Sequence, residues 1–203
     1  MALLDWISPE SGPRLEGERI RLRPPRAADY EQWRDLRGVS KDFLQPWEPT
    51  WPADDLGRAA FRRRLSAYAR DRELGLAYPF FVFRQGDEAL TGGITLSNVR
   101  RGVAQMGSVG YWCGQPFARN GYTLAAVRAL TTFAFQSLGL HRLEAACLPA
   151  NRASRKLLRR AGFVEEGEAR AYLKINGAWA DHVLFGLVSP VRADEGPGES
   201  VSV

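Results

Sequence analysis

Cysteine is scarce in this chain, and the two present, Cys113 and Cys147, fall in separate apolar runs without the spacing of metal ligands. That excludes a disulfide framework and a zinc site, so no metal is expected and the pair reads as small, reduced core residues. Long apolar runs are missing as well, none approaching the roughly 20 residues of a membrane span. The start, Met1-Ala2-Leu3-Leu4-Asp5, lacks the basic flank and apolar stretch of a signal peptide. A cytoplasmic protein without a membrane partner is expected. Lysine is nearly absent: only Lys41, Lys156 and Lys174 stand among 28 basic residues, the rest being arginine, for a net charge of +5. A positive balance invites a nucleic-acid reading, but so one-sided a bias reflects codon composition as readily as function. Arg62-Arg63-Arg64 sits in a helical segment whose core pattern uses Leu56, Ala60, Phe61, Leu65 and Tyr68, so the three arginines read as a solvated face.

What is present is enough for one sizeable core. A chain of 203 residues with 45% hydrophobic content can bury about 70% of its unfolded surface. Period-two alternation in Arg19-Ile20-Arg21-Leu22-Arg23, closed by Pro24-Pro25, predicts a first strand. Asp29 can open a helix carrying Tyr30, Trp33 and Leu36, and Asp54 or Asp55 can cap a longer one to about Arg72. Residues 79–84, 89–98 and 105–113 read as an antiparallel meander, with Gln85-Gly86-Asp87 turning its first hairpin. Leu124, Val127, Leu130, Phe133, Ala134 and Leu138 mark an amphipathic helix ended by Gly139. The apolar run through Leu143 follows, and such a strand-helix-strand unit makes a right-handed parallel crossover. A last hairpin turns at Asn176-Gly177, where both residues tolerate positive φ.

Two segments carry the chemistry. Gln115-Pro116-Phe117-Ala118-Arg119-Asn120-Gly121-Tyr122-Thr123 joins the run Val109-Gly110-Tyr111-Trp112-Cys113 to the helix that starts near Leu124. Unpaired N–H groups and the helix dipole at such a turn suit a pyrophosphate, although many strand-to-helix turns bind nothing. Asn151-Arg152-Ala153-Ser154 then opens a second helix behind the strand of residues 141–148, and Gly162-Phe163 closes it. Asn151 caps that helix, and Ser154 lies on the same side of its first turn.

In this order of parts the chain resembles the GNAT superfamily of N-acetyltransferases. Phe43-Leu44-Gln45-Pro46-Trp47-Glu48-Pro49, Tyr172-Leu173-Lys174-Ile175-Asn176-Gly177 and Asp181-His182-Val183-Leu184 resemble its Rim-type branch, most of all the ribosomal-protein alanine N-acetyltransferases. The resemblance runs from about Gly17 to Val188. It implies an α/β protein of the GNAT fold: a mixed, mostly antiparallel sheet flanked by helices, with two splayed parallel strands forming the acyl-CoA site. Residues 17–188 would be this domain, residues 1–16 an N-terminal extension. Residues 189–203 would be a disordered tail, rich in Pro, Gly, Glu and Ser without periodicity.

The resemblance also implies roles. Acetyl-CoA would be the cosubstrate, its pantetheine arm bonding to the splayed strands, with peptide N–H groups near Tyr111, Trp112 and Cys113 facing the acetyl carbonyl. The family's phosphate loop reads Gln or Arg, Gly, any, Gly, any, Gly or Ala, and the matching residues here are Ala118, Arg119, Asn120, Gly121, Tyr122 and Thr123. Gly121 keeps the central glycine; Arg119 and Thr123 depart from the pattern. The Asn151 amide would bond the pantetheine, and Ser154 would protonate the departing thiolate. Relatives that acetylate a different ribosomal protein carry a glutamate five residues before the capping Asn, where this chain has Ala146. Glu144 lies farther from the cap, so Glu48 is the candidate for meeting the acceptor amine and taking its proton through water. Trp47 and Tyr172 would wall the acceptor groove, with Tyr172 and His182 as weaker candidates for the base.

The implied activity is acetyl transfer by direct attack to the α-amine of a protein N-terminus, an alanine of a ribosomal protein first of all. The arginines would then favour the ribosome and the CoA phosphates by weak electrostatic contact. Alternatives are acetylation of small amines or antibiotics, or a non-catalytic acyl-CoA-binding protein associated with the ribosome.

Overall fold

A computed structural model describes residues 12–190, so residues 1–11 of the expected extension and 191–203 of the expected tail lie outside it. Eight strands form one sheet in the order β1-β2-β3-β4-β5-β6-β8-β7. They are β1 (Leu15–Gly17), β2 (Ile20–Arg23), β3 (Tyr78–Arg84), β4 (Leu90–Arg100), β5 (Met106–Cys113), β6 (Arg142–Cys147), β7 (Val164–Ile175) and β8 (Ala178–Val188). Every neighbouring pair is antiparallel except β5 and β6. The sheet takes in Leu15 and Glu16, which the sequence reading leaves in the N-terminal extension.

The run Tyr78-Pro79-Phe80-Phe81-Val82-Phe83 shows why the sheet sits between two helical layers. A strand with apolar residues at every position must bury both faces, and residues 79–83 are all buried. Phe80 and Val82 meet α4 (Tyr122–Thr132) through Ala126, Val127 and Leu130. Phe81 and Phe83 meet α1 (Tyr30–Val39) and α3 (Arg58–Glu73) through Tyr30, Trp33, Leu36 and Phe61. Between α1 and α3 lie a short helix, α2 (Lys41–Leu44), and a 3₁₀ turn at Gln45–Trp47. The last helix, α5 (Arg152–Arg160), packs Leu158 into the first of these cores.

Two local expectations need correction. Gly57, not Asp54 or Asp55, occupies the N-cap of α3. The two carboxylates reach instead to the helix's second turn, Asp54 accepting from Arg63 at 2.7 Å and Asp55 from Arg64 at 2.8 Å. Helix α4 stops at Thr132 and continues as a π turn over Phe133–Ser137 before Gly139, at φ +64°, ends the helical stretch. The closing turn is as read, with Asn176 at φ +44° and Gly177 at +84°.

The parallel pair determines where a ligand can enter. Strands β5 and β6 pair only at Met106 with Arg142, Gly107 with Leu143 and Ser108 with Glu144. Beyond that point β5 runs on to Cys113 and β6 to Cys147 without each other, leaving a notch between them. At its far end Gly114 sits against Leu36, and an added Cβ would lie 2.7 Å from Leu36 Cγ. Gly114→Ala should therefore destabilise the fold by about 1 to 3 kcal/mol through overpacking. In Gly114→Ala/Leu36→Ala the two effects should be clearly less than additive, because the smaller side chain makes room. Chemical denaturation of the four proteins measures this, and strict additivity would show that the junction is not packed as described.

Candidate active site

The notch is the first half of the site. On its β5 wall the side chains alternate: Tyr111 points toward α5, Trp112 toward α1. The Tyr111 hydroxyl lies 2.7 Å from Ser154 Oγ, either hydroxyl being able to donate, and burial pushes the phenol's pKa well up, so it stays neutral. Asn151 Oδ1 accepts the Ser154 N–H at 3.0 Å, capping α5 as the sequence predicts. The amide nitrogen of Asn151 is left to donate elsewhere. Burial raises the Cys113 and Cys147 thiols, partly offset by the hydroxyls of Thr123 and Ser154 beside them. Both are protonated thiols by this account, consistent with core residues.

Trp112 needs space that the sequence supplies one strand away. Gly93 lies opposite it in β4, and any Cβ there would collide with the indole nitrogen. At Gly92 a Cβ would strike the Trp112 carbonyl, so the Gly92-Gly93 pair is required by close approach. Nothing in the local pattern of β4 announces this.

The loop after β5 leaves backbone donors that could hold an anion. Gly114 donates to Thr91 O at 2.9 Å, and Gln115 donates to the buried Ser40 hydroxyl at 2.9 Å, fixing the exit of the strand. Arg119 adopts φ +64° and Gly121 φ +84°. Arg119, which stands where the resembled pattern has glycine, thus holds a left-handed conformation, at a strain of roughly 1 to 2 kcal/mol. No side chain caps α4 at Gly121, so the N–H groups of its first turn are open to a ligand. The Asn120 amide donates to Ala118 O at 3.2 Å, and Asn120 O accepts from Arg19 at 2.9 Å. Tyr122 turns its ring into the core against Phe117, so only its backbone faces the loop. Arg119 and Asn120 are exposed and Thr123 half-buried.

The second half lies across β5, where a cavity of about 300 Å³ is lined by Trp112 and Gly110, by Arg37 of α1, and by Glu48. Glu48 is not the free loop carboxylate that its sequence position suggests. Arg37 donates to both of its oxygens, at 2.8 and 2.7 Å, and Trp51 Nε1 donates to Oε2 at 2.8 Å. The Glu48 carbonyl in turn accepts the Asn176 N–H at 2.9 Å, tying the loop to the β7–β8 turn. Trp47 and Tyr172, 38% and 48% exposed, stand on the two segments that this bond joins. Tyr172 lies edge-on to the buried His182 ring at 5.8 Å and follows Ala171, whose N–H bonds Asp181 at a bulge in β7. His182 Nδ1 is 2.9 Å from Ala180 O. Glu144 accepts from Arg142 at 3.0 Å.

Arg37 and Trp51 are the residues that sequence reading misses. One signal was available: Arg37 falls four residues after Trp33, on the apolar face of α1, where a solvated arginine has no place. Among the described residues no group of three His, Cys, Asp or Glu side chains could hold a metal ion.

Comparison with known proteins gives this geometry its setting. Residues 19–164 match the acetyltransferase (GNAT) domain family. The chain is 33% identical over 176 residues to a probable N-acetyltransferase, YjcK, of Bacillus subtilis, covering 87% of this chain and 97% of that one. It is 32% identical over 186 residues to the ribosomal protein uS5 alanine N-acetyltransferase of Escherichia coli, covering 88% and 96%. Mycobacterium smegmatis RimJ, solved in complex with CoA-disulfide, superposes with a TM-score of 0.80 at 30% identity over 92% of this chain and 88% of that one. The chain belongs to the GNAT acetyltransferase family and is an acetyl-CoA-dependent N-acetyltransferase, close to those that act on ribosomal proteins.

Proposed function

We propose that the acceptor is the α-amine of a protein N-terminus, with the N-terminal alanine of a ribosomal protein as the leading candidate. The observation that carries this reading is the cavity beside β5. It puts Glu48 and Trp112 on one space, with the Trp47 loop and the Tyr172 hairpin joined beside it through the Asn176 to Glu48 bond. Trp47 and Tyr172 are not in the cavity lining; in this reading they flank its approach, where an extended chain end with a small first side chain would pass. The likeness to the uS5-alanine enzyme supports alanine.

Acetyl-CoA lies in this reading with its pyrophosphate over Arg119, Asn120, Gly121, Tyr122 and Thr123, its pantetheine in the notch and against the Asn151 amide. Attack by the neutral amine on the acetyl carbonyl forms the new C–N bond directly. Backbone N–H groups near Tyr111, Trp112 and Cys113 stabilise the oxyanion. The amine's proton leaves through water toward Glu48. As the C–S bond breaks, the CoA thiolate takes the Ser154 hydroxyl proton, Ser154 recovers a proton from solvent as Glu48 releases the amine's proton there, and Tyr111, hydrogen-bonded to Ser154 Oγ, orients the hydroxyl.

Three outcomes follow. Gly121→Val places a β-branched residue at φ +84° and obstructs the anion, so CoA binding should weaken by about 1 to 3 kcal/mol in calorimetry; a folded variant with unchanged affinity would remove the loop from the site. Ser154→Ala should lower kcat by about 10²- to 10⁴-fold with little change in acetyl-CoA affinity. Full turnover under rate-limiting chemistry would reduce Ser154 to a helix residue. Peptides beginning with Ala or Ser should be acetylated well and one beginning with Leu poorly, with the rate on whole ribosomal protein falling as salt rises. Preference for a lysine side chain or a small polyamine would replace this acceptor while leaving acetyl transfer intact.

A further inference from the structure

The pair Arg37 and Glu48 bears on which amines can react. Arg37 is buried, and its guanidinium lies between two indoles, 4.1 Å from the Trp51 ring and 5.0 Å from the Trp112 ring. It forks onto both Glu48 oxygens, while Trp51 takes a second position on Oε2. A carboxylate offers about four acceptor positions. Three are filled, and the one that remains is on Oε1.

An unpaired carboxylate at this place would hold an incoming amine as its ammonium, which has no lone pair for attack. Paired with Arg37, Glu48 presents an acceptor without net negative charge, and the adjacent guanidinium repels a cation. Such a site selects for amines that give up their proton readily. At pH 7.5 roughly a third of α-amines are neutral, against about one in a thousand lysine side chains. The other charged group lining the cavity is Arg64 of α3, paired with Asp55, and Tyr68 is the phenol on the same helix. From the hairpin, His182 stands behind Tyr172.

We propose that Arg37 is a positioning residue that makes this enzyme selective for α-amines over lysine, by neutralising Glu48 and aiming its last free acceptor position at the acceptor nitrogen. The proposal rests on the reading that Glu48 meets the amine.

The test follows kcat against pH at saturating Ala-starting peptide, and the preference for that peptide over an α-blocked lysine peptide. Arg37→Met should move the midpoint of the kcat profile up by about one unit, lower KM for the peptide together with kcat, and erode the preference by about tenfold. Arg37→Lys keeps the charge and loses the fork, so kcat should fall with the midpoint in place. Glu48→Gln leaves the guanidinium unopposed and should move the midpoint the other way. In Arg37→Met/Glu48→Gln neither charge remains, so the midpoint should return toward that of wild type and kcat should fall no further than in Glu48→Gln alone. A folded Arg37→Met with an unmoved profile, or a double variant whose losses multiply, overturns the proposal. If Arg37→Met does not fold, the Glu48→Gln arm decides: an upward shift overturns it. Glu48→Gln indistinguishable from wild type would instead remove Glu48 from the amine, and the reading beneath falls too. A change in Glu48→Gln with none in Arg37→Met takes away only the role of Arg37.

Discussion

Backbone N–H and C=O groups buried without partners are expensive, and the whole arrangement turns on one place where a sheet stops supplying them. After Ser108 on β5 and Glu144 on β6 the parallel ladder ends, though both strands continue. Each unmade bond to a buried group carries a penalty of about 1 to 3 kcal/mol. In the proposed reading a ligand with amides of its own recovers that free energy, and an extended acyl carrier is held by the same kind of bonds that hold the strands. The helices on either side then follow from position. Helix α4 starts where β5 ends, aiming its open N–H groups back at the notch, and α5 starts where β6 ends, aiming Asn151 and Ser154 into it.

Across β5 the environment changes from backbone to charge. Arg37 and Glu48 are a largely buried ion pair, an arrangement whose desolvation often outweighs its attraction. Here the fork geometry, two indole faces and a third donor offset part of that cost, while Arg37 Nε is buried without a hydrogen-bond partner. The cluster also joins four parts of the chain: α1, the loop after α2, β5 and the last hairpin. Its members are held by each other, so disturbing any one changes this cavity, and α1 also reaches the loop after β5 through Leu36 and Ser40.

Much of this was legible in the sequence, and the rest was hidden for definable reasons. Periodicity located α1, α4 and the meander because burial imposes it residue by residue. Asn151, Gly121 and the Asn176-Gly177 turn were readable because each meets a local backbone demand. The Arg37 to Glu48 pair, the Tyr111 to Ser154 bond and the room that Gly92-Gly93 makes for Trp112 link residues remote in the chain, and no local pattern encodes them. Asp54 and Asp55 misled because the helix begins at Arg58 with Gly57 in the N-cap position, leaving both carboxylates upstream of it and bonded to Arg63 and Arg64. Arg119 shows the reverse, a residue that looks wrong for its place yet adopts the backbone conformation the place requires.

The join between the Trp47 loop and the last hairpin also bears on how the molecule is assembled. Gln45 and Asn176, which bond across it, are 131 residues apart in sequence. A loop that long closes late, because the chain entropy lost must be recovered by contacts made at closure. The cofactor loop, by contrast, is made by β5 and α4 in direct succession. During synthesis from the N-terminus β5 and α4, which make the loop after β5, are complete before the hairpin that the Trp47 loop joins has emerged.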